Sequence, residues 1–196
     1  SSLTSAFVNF DPLVLEQAML RDALHSLAED RDWSKAELPA NRVRWISPAA
    51  FGGDVAGPQL EEAARLADVS AEEAITELCA KPLRVMTLGF APGQPYLGSL
   101  PENWAIPRQT GLTKRVPVGA ITVAIRQIVL FSTSAPTGWR QVGLCGFKAF
   151  RREAAQPFAL RPGDEIQFRA VSAAEYEDIQ ARDQSGDGGA SRQDIS

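Results

Sequence analysis

The segment LRVMTLGFAPGQPYLGSL spans Leu83 to Leu100. Its first six residues are typical of a strand, and a loop rich in glycine and proline follows. These two residue types favour unusual backbone conformations and interrupt regular structure. Two further blocks follow: IPRQTGLTKRVPVGA at Ile106 to Ala120 and ITVAIRQIVLFSTSAPTGW at Ile121 to Trp139. Binding sites often lie on loops held by a rigid scaffold, so the glycine- and proline-rich loop is a candidate rim of a site. The alternative is a surface connection without chemistry.

The composition is that of an ordinary globular protein. The 196 residues can bury one good core or two small ones, and 44% of them are hydrophobic. The net charge of −4 comes from acidic and basic residues mixed along the chain, which argues against a nucleic-acid partner. No apolar run approaches the roughly 20 residues of a transmembrane helix, and the start does not resemble a signal peptide. We therefore expect a cytoplasmic protein with no membrane partner.

Several kinds of catalytic site find no support in the sequence. Cys79 and Cys145 do not make a disulfide framework, and a single histidine leaves too few ligands for a typical zinc site. Cys79 falls on an apolar helix face, which favours a small core residue over a nucleophile. The chain has no GxxxxGK[ST] phosphate loop and no GxSxG nucleophile motif. We therefore expect no metal in this chain, and any ATP-dependent chemistry would require a partner for the nucleotide or the substrate.

The pattern of elements indicates a barrel-like α+β domain, because the chain combines many short strands and Gly/Pro turns with few helices. Residues 6–10 alternate as in a strand, and Asp11-Pro12 is typical of a helix start. Ser70 with Glu73 predicts a capping box at another helix start. From Gln180 onwards almost no apolar residue remains, which predicts a mobile tail.

The run Ile121 to Phe131 predicts one long strand in which Gln127 interrupts an apolar face. A polar amide on such a face must find partners or water. Two interpretations stay open. Gln127 lies either at an edge position or at the end of a barrel, or it is an inward amide that contacts a ligand.

Five ordered blocks resemble the signatures of one family. They are Gly89 to Gly98 (GFAPGQPYLG), Pro107-Arg108, Arg115 to Gly119 (RVPVG), Ser134 to Trp139 (SAPTGW) and Leu160 to Asp164 (LRPGD). They resemble the GFxPGFxYLG, PR, RVPxGSV, SPGGW and LRPGD motifs of the allophanate hydrolase subunit 1 family. That family includes the B-type subunit of 5-oxoprolinase and a sporulation kinase A inhibitor. It corresponds to subdomains C and D of the carboxyltransferase domain of urea carboxylase.

The resemblance implies a fold and a domain organisation. Residues 43–178 would form a cyclophilin-like β-barrel, and residues 1–42 would be the remainder of a small N-terminal α+β domain whose upstream part is missing. Residues 179–196 would be a disordered tail. The chain departs from the family at Val123 to Phe131, where the usual GIAGGQTGIYP pattern has lost two glycines and a threonine. Arg126 and Ile128 add bulk there, where a backbone or a ligand comes close. This departure bears on whether the chain binds the same substrate as the family.

The candidate substrate-binding residues are Gln94, Tyr96, Arg108, Arg115 and Gln127. An arginine fork binds a carboxylate through two parallel hydrogen bonds, and glutamine can pair with an amide or ureido group. This set suits a small anionic, amide-bearing substrate such as 5-oxoproline. The alternative is that Arg108 and Arg115 only tie loops to the barrel.

The resemblance implies a subunit of an ATP-dependent amidohydrolase complex that opens 5-oxoproline to glutamate. ATP would act through the complex, with a subunit 2-type chain and possibly a LamB/YcsF-type chain as partners. One alternative is a non-catalytic binding protein similar to the histidine-kinase inhibitor. Another is the carboxyltransferase part of a urea carboxylase-like enzyme, which would need a carboxybiotin donor.

Overall fold

The computed structural model describes residues 7–195, and the chain divides into two compact units, Ser1–Ala40 and Asn41–Ser196. The boundary lies two residues before the predicted one. The described α-helices are α1 Gln17–Glu29, α2 Leu60–Leu66, α3 Ala71–Cys79 and α4 Ala173–Arg182. The described strands are β1 Arg42–Phe51, β2 Leu83–Leu88, β3 Pro95–Gly98, β4 Thr113–Val116, β5 Ala120–Ala124, β6 Gln127–Leu130, β7 Ala135–Thr137, β8 Arg140–Cys145, β9 Glu165–Ala170 and β10 Ser191–Ile195.

The N-terminal unit contains α1 and a single turn of 3-10 helix at Trp33–Lys35. The helix begins later than Asp11-Pro12 predicted, because Asp11 instead caps a turn by accepting the Leu13 N–H at 2.8 Å. The predicted strand at 6–10 was wrong for residues 7–10, which are not part of any strand; Ala6 lies outside the described residues. No residue of α1 is buried.

The second unit is a closed barrel, which confirms the predicted α+β class with a C-terminal β-barrel. Hydrogen-bonded neighbours follow the order β1-β8-β5-β6-β3-β2-β9, and β9 pairs in parallel with β1 to complete the ring. The ring closes at β1, which is long enough to pair with three strands. One edge carries β9, and the other is shared between β10 at Arg42 to Ile46 and β8 at Ala49 to Phe51.

Strands β5 and β6 are buried on both faces. Alternate residues such as Ile121, Val123, Ile128 and Leu130 join the main core, which continues under α2 and α3. On the opposite face of these strands, Ala120, Ala124 and Val129 belong to a second, smaller cluster, which also contains Val116, Phe131 and Trp139. The two-stranded ribbon β4–β7 contributes to this cluster, and the candidate site lies beside it.

The prediction of one strand from Ile121 to Phe131 was wrong, because a two-residue hairpin divides it. Ile125 and Arg126 have φ angles of 43° and 63°, and the flanking residues Ala124 and Gln127 pair with each other. Positive φ at both central residues is the geometry of a type I′ turn. Neither side chain favours that geometry, so the apolar pattern concealed the turn.

The prediction of a mobile tail was also wrong. Helix α4 continues to Arg182, and β10 pairs antiparallel with β1 over five residues. The intervening loop is held by the Asp183 carboxylate, which accepts the N–H groups of Gly186 and Gly188 at 3.0 and 3.1 Å. Main-chain hydrogen bonds of a ladder do not require apolar side chains, and β10 is almost entirely exposed. Composition alone therefore missed it.

Candidate functional site

The glycine- and proline-rich loop connects β2 to β3 and places Gln94 in the protein interior. The Gly89 N–H donates to the Gln94 carbonyl at 3.0 Å, and the Gln94 N–H donates to the Ala91 carbonyl at 3.1 Å. Gly93 has φ +66°, and a Cβ there would lie 3.0 Å from the Ala149 carbonyl oxygen. The loop therefore needs glycine at this position both for its backbone conformation and for the close approach.

Three of the five predicted site residues, Gln94, Tyr96 and Arg108, line one cavity of about 260 Å³. The cavity lies against the smaller core cluster, with Val129, Phe131 and Trp139 in its wall. The other lining residues are Phe90, Leu112, Pro136, Thr137 and Gly138. The site is therefore mostly apolar with a few polar groups, which is the usual character of a small-molecule site.

Like Thr137, Gln94 is a buried polar residue of this cavity. Only 1% of its surface is exposed, and its Oε1 atom is buried with no hydrogen-bond partner among the described residues. A buried carbonyl oxygen without a donor is unfavourable by about 1–3 kcal/mol. Such a group is rare in folded proteins and is a candidate acceptor for a ligand N–H.

Arg108 supplies positive charge at the exposed side of the cavity. Its guanidinium carbon lies 5.8 Å from the centre of the Trp139 ring, in cation–π geometry. Trp139 in turn contacts Tyr96 edge-to-face, with ring centroids 6.0 Å apart. Within residues 7–195, Arg108 has no carboxylate partner. It is therefore available to an anionic ligand.

A polar network that the sequence did not reveal holds the Arg108 loop on both sides. On one side, buried Arg140 donates to the Pro107 carbonyl at 2.6 Å and to Glu62 at 2.9 Å. On the other side, Gln109 accepts from Gln59 at 2.7 Å and donates to the Trp139 carbonyl at 3.0 Å. The sequence contains one signal for this network, the two polar residues Arg140 and Gln141 inside a strand-forming run. Their partners could not be identified from the sequence because they are distant along the chain.

The other two candidates, Arg115 and Gln127, do not line the cavity. Arg115 lies on β4, and its Nε donates to the Ser134 hydroxyl at 2.8 Å. Gln127 begins β6 and pairs with Gly98, two residues along the strand from Val129 in the cavity wall. Its amide nitrogen lies close to Gly98, at 3.7 Å from where a Cβ of that residue would stand. The structure thus separates these two residues from Gln94, Tyr96 and Arg108.

Neither cysteine is poised for nucleophilic chemistry. Burial raises the pKa of the Cys79 thiol to about 11, and it raises the pKa of the Cys145 thiol to about 11 as well. A thiol with so high a pKa is protonated at neutral pH, and the thiolate is the reactive form. Both cysteines therefore act as core or packing residues.

Comparison with known proteins identifies the family. The family model described as carboxyltransferase domain, subdomain C and D, matches residues 1–160. The chain belongs to this carboxyltransferase-domain family. The predicted resemblance is thereby confirmed at the level of the family. The match ends before β9, so β9, α4 and β10 lie beyond the part that the family model describes.

Named relatives of this carboxyltransferase domain are B-type subunits of 5-oxoprolinase. The Bacillus subtilis (strain 168) protein is 32% identical over 160 residues, which cover 82% of this chain and 65% of that protein. The Escherichia coli O157:H7 protein is 31% identical over 153 residues, which cover 78% of this chain and 69% of that protein. The chain thus spans about two thirds of the length of the relatives it matches.

Solved structures share the fold. A conserved uncharacterized protein from Pyrococcus horikoshii superposes with a TM-score of 0.63 at 28% identity, covering 85% of this chain and 74% of that one. The Kluyveromyces lactis urea carboxylase superposes with a TM-score of 0.74 at 15% identity, covering 95% of this chain and 19% of that one. The latter similarity concerns the fold alone.

In residues 7–195 the longest α-helix has 13 residues, and none has the length and apolar character of a transmembrane helix.

Proposed function

We propose that this carboxyltransferase domain belongs to a cytoplasmic, ATP-dependent amidohydrolase complex resembling 5-oxoprolinase, and that the cavity at Gln94 binds the substrate. Relatives at about 30% identity that are named as B-type subunits of 5-oxoprolinase support the reaction class. The single observation that carries the proposal is the buried, unpaired carbonyl oxygen of Gln94. Such an oxygen needs a hydrogen-bond donor, and a lactam N–H is one.

The chemistry of 5-oxoproline matches the cavity at two points. Its lactam N–H would donate to Gln94 Oε1, and its carboxylate would pair with Arg108. A charge-assisted hydrogen bond to arginine is stronger than a neutral one, so Arg108 would contribute most of the affinity for the anion. Tyr96 and Trp139 would pack on the apolar faces of the ring. These groups bind and orient the substrate.

The cavity does not suit ATP. Its volume of about 260 Å³ is below the range of about 300–1,000 Å³ that is usual for drug-sized ligands, and it fits a five-membered lactam better. The nucleotide therefore lies outside this cavity. We propose that a partner chain supplies its site, together with the groups that activate water for cleavage of the C–N bond. The mouth of the cavity is compatible with such a partner, because Phe90 and Leu112 are 73% and 70% exposed there. We propose that a subunit 2-type chain, with or without a LamB/YcsF-type chain, covers this apolar rim.

The test is reconstitution of the complex. Mixed with its subunit 2-type and LamB/YcsF-type partners, the wild-type chain is expected to support phosphate release that depends on 5-oxoproline. Gln94→Met removes the acceptor at nearly unchanged volume and is expected to raise the KM for 5-oxoproline at least tenfold. Arg152→Gln is the control, since Arg152 is exposed and does not line the cavity. A reconstituted complex that hydrolyses ATP without any response to 5-oxoproline would refute the proposal.

The exposed apolar rim also favours a second candidate, a non-catalytic binding protein of the histidine-kinase inhibitor type. Phe90 and Leu112 would then contact the kinase rather than a catalytic partner. Pull-down with the wild-type chain and with Phe90→Ser separates the two candidates. Recovery of a histidine kinase, but no subunit 2-type chain, by the wild type alone would favour the inhibitor. A urea carboxylase-like role would require substrate-dependent transfer from carboxybiotin, which the same reconstitution can measure.

A further inference from the structure

A second cavity, separate from the one at Gln94, lies in the barrel unit beside the start of β1. Its volume is about 810 Å³, within the range of small-molecule sites. Its wall is formed by β1, β10 and the segment between residues 151 and 164. None of its lining residues belongs to the cavity at Gln94.

Trp45 lines this cavity, and its indole carries an unpaired hydrogen-bond donor. The residue is 9% exposed, and its indole Nε1 is buried without an acceptor among the described residues. Its ring packs against Phe147 at a centroid distance of 5.1 Å, and the Arg151 guanidinium lies 5.9 Å from its centre. The indole N–H can only donate. A ligand that satisfies it must therefore present an acceptor.

Three arginines, Arg151, Arg161 and Arg192, line the cavity around this donor, although the chain as a whole has a net charge of −4. Each has a carboxylate within ion-pair distance: Asp187, Asp164 and Asp194, respectively. The one acidic residue in the lining, Asp164, already accepts the backbone N–H groups of Val43 and Arg161 at 2.9 Å each. Within the described residues 7–195, Arg192 pairs only with Asp194, and both side chains are exposed. Such a surface pair is weak, so Arg192 can turn to a ligand at little cost.

Apolar side chains complete the wall. Val43 and Leu160 lie at the same cavity as the three arginines, and Phe158 is 54% exposed at its edge. A ligand of matching chemistry has an anionic group, an acceptor oxygen and an apolar body. An inorganic ion would leave the apolar wall without contact, and an uncharged hydrocarbon would leave the indole N–H unpaired.

We propose that this second cavity is a binding site for a small organic anion, a carboxylate or a phosphate ester with an apolar body. The anionic oxygen accepts the Trp45 indole N–H and lies between Arg161 and Arg192, while the body contacts Val43 and Phe158. The site is distinct from the proposed 5-oxoproline site and does not depend on it.

The indole N–H signals in an NMR titration test this directly, because Trp33 and Trp104 already donate to Ala28 and Glu77. Phenylacetate and phenyl phosphate are added in turn, with benzyl alcohol as the uncharged control. The Trp45 signal, identified by its loss in Trp45→Phe, is expected to shift saturably with at least one anion and not with benzyl alcohol. The tighter of the two anions distinguishes carboxylate from phosphate recognition.

Two variants complete the test. Arg192→Gln is expected to weaken anion binding about three- to tenfold, as the loss of one charge-assisted contact should. Arg152→Gln, on the same segment as Arg151 but not in the lining, should leave binding unchanged. The proposal is wrong if neither anion shifts the Trp45 signal at millimolar concentration. It is equally wrong if Arg192→Gln and Arg152→Gln bind the anion alike, or if only the Trp139 signal responds.

Discussion

At the scale of single residues, two buried glutamines of the barrel differ in one respect. Gln141 donates from Nε2 to the Val55 and Ala56 carbonyls at 3.1 and 2.8 Å, whereas Gln94 Oε1 has no partner in residues 7–195. Both side chains are nearly inaccessible to solvent. An unpaired buried acceptor destabilises a fold unless a ligand or water satisfies it. Gln94 thus has the features of a residue kept for function rather than stability.

Gln94→Met is expected to raise the free energy of unfolding by about 1 kcal/mol, because methionine fills similar space without an unpaired oxygen. Gln141→Met is the matched control and is expected to lower it by about 1–3 kcal/mol, since two carbonyls lose their donor. Urea unfolding of both variants measures the difference. If both substitutions destabilise equally, Gln94 is satisfied within the fold and the substrate-binding argument loses its basis.

The Cys145 thiol makes the free energy of unfolding depend on pH in the alkaline range. Burial raises its pKa from an ordinary value of 9.0 to about 11, so the unfolded chain loses this proton at lower pH than the folded one. The contribution is fully present below pH 9 and is lost as pH rises towards 11, with a slope of about 1 kcal/mol per pH unit. Cys145→Ala is expected to show a shallower fall in urea-unfolding free energy over this range. Parallel curves for the two proteins would contradict this assignment.

At the scale of elements, the β5–β6 hairpin carries backbone strain that its own contacts offset. Ile125, with φ 43°, has a β-branched side chain that disfavours positive φ, and it is 52% exposed. Arg126 has φ 63°, but its Nε donates to the Leu100 carbonyl at 3.0 Å and its guanidinium pairs with Glu102. The turn is also tied through the Ile125 N–H to the Ile106 carbonyl.

Ile125→Gly is therefore expected to raise the free energy of unfolding by about 1 kcal/mol, because glycine adopts positive φ without strain and little burial is lost. Arg126→Gly relieves the same kind of strain but removes two side-chain contacts, so we expect no gain. Thermal or urea unfolding of the two variants gives the comparison. Stabilisation by Arg126→Gly and not by Ile125→Gly would show that the side-chain contacts contribute nothing.

The sequence predicted the start of α3 correctly, although it placed the start of α1 too early. The capping box at Ser70 and Glu73 is confirmed, with the Ser70 hydroxyl accepting the Glu73 N–H at 3.2 Å and Glu73 accepting the Ser70 N–H at 2.8 Å. Such a cap depends on residues three apart and needs no tertiary partner. The β5–β6 turn was missed because isoleucine and arginine do not favour the positive φ angles of a type I′ turn. Hydrogen bonds to backbone carbonyls that are distant in sequence stabilise the turn instead.

At the scale of the whole molecule, Arg140 joins three parts of the barrel unit that are far apart in sequence. It lies on β8, and it bonds Glu62 of α2 and the Pro107 carbonyl beside Arg108. Its side chain is 8% exposed and that of Glu62 is 39% exposed. The position of Arg108 at the cavity therefore depends on packing between α2 and β8.

Arg140→Gln is expected to lower the free energy of unfolding by about 2 kcal/mol or more, because a buried ionic contact loses one partner. The variant should also bind 5-oxoproline more weakly in calorimetry, since the Arg108 loop loses its anchor. Arg169→Gln removes an exposed pair with Glu175 and should change stability by less than about 1 kcal/mol. An Arg140→Gln chain that is destabilised but binds 5-oxoproline normally would exclude a positioning role.

The sequence by itself determined the family motifs, the α+β barrel class, the Ser70 cap and the placement of Gln94 in a constrained loop. The cap and each family motif consist of residues within a few positions of one another, and the barrel class follows from such local patterns taken together. Only the tertiary structure decided that Gln94, Tyr96 and Arg108 share a cavity while Arg115 and Gln127 do not. It also decided that β10 pairs with β1 and that β1 closes the barrel on β9. Pairing between strands more than 100 residues apart depends on how the whole chain closes, and local patterns do not encode that geometry.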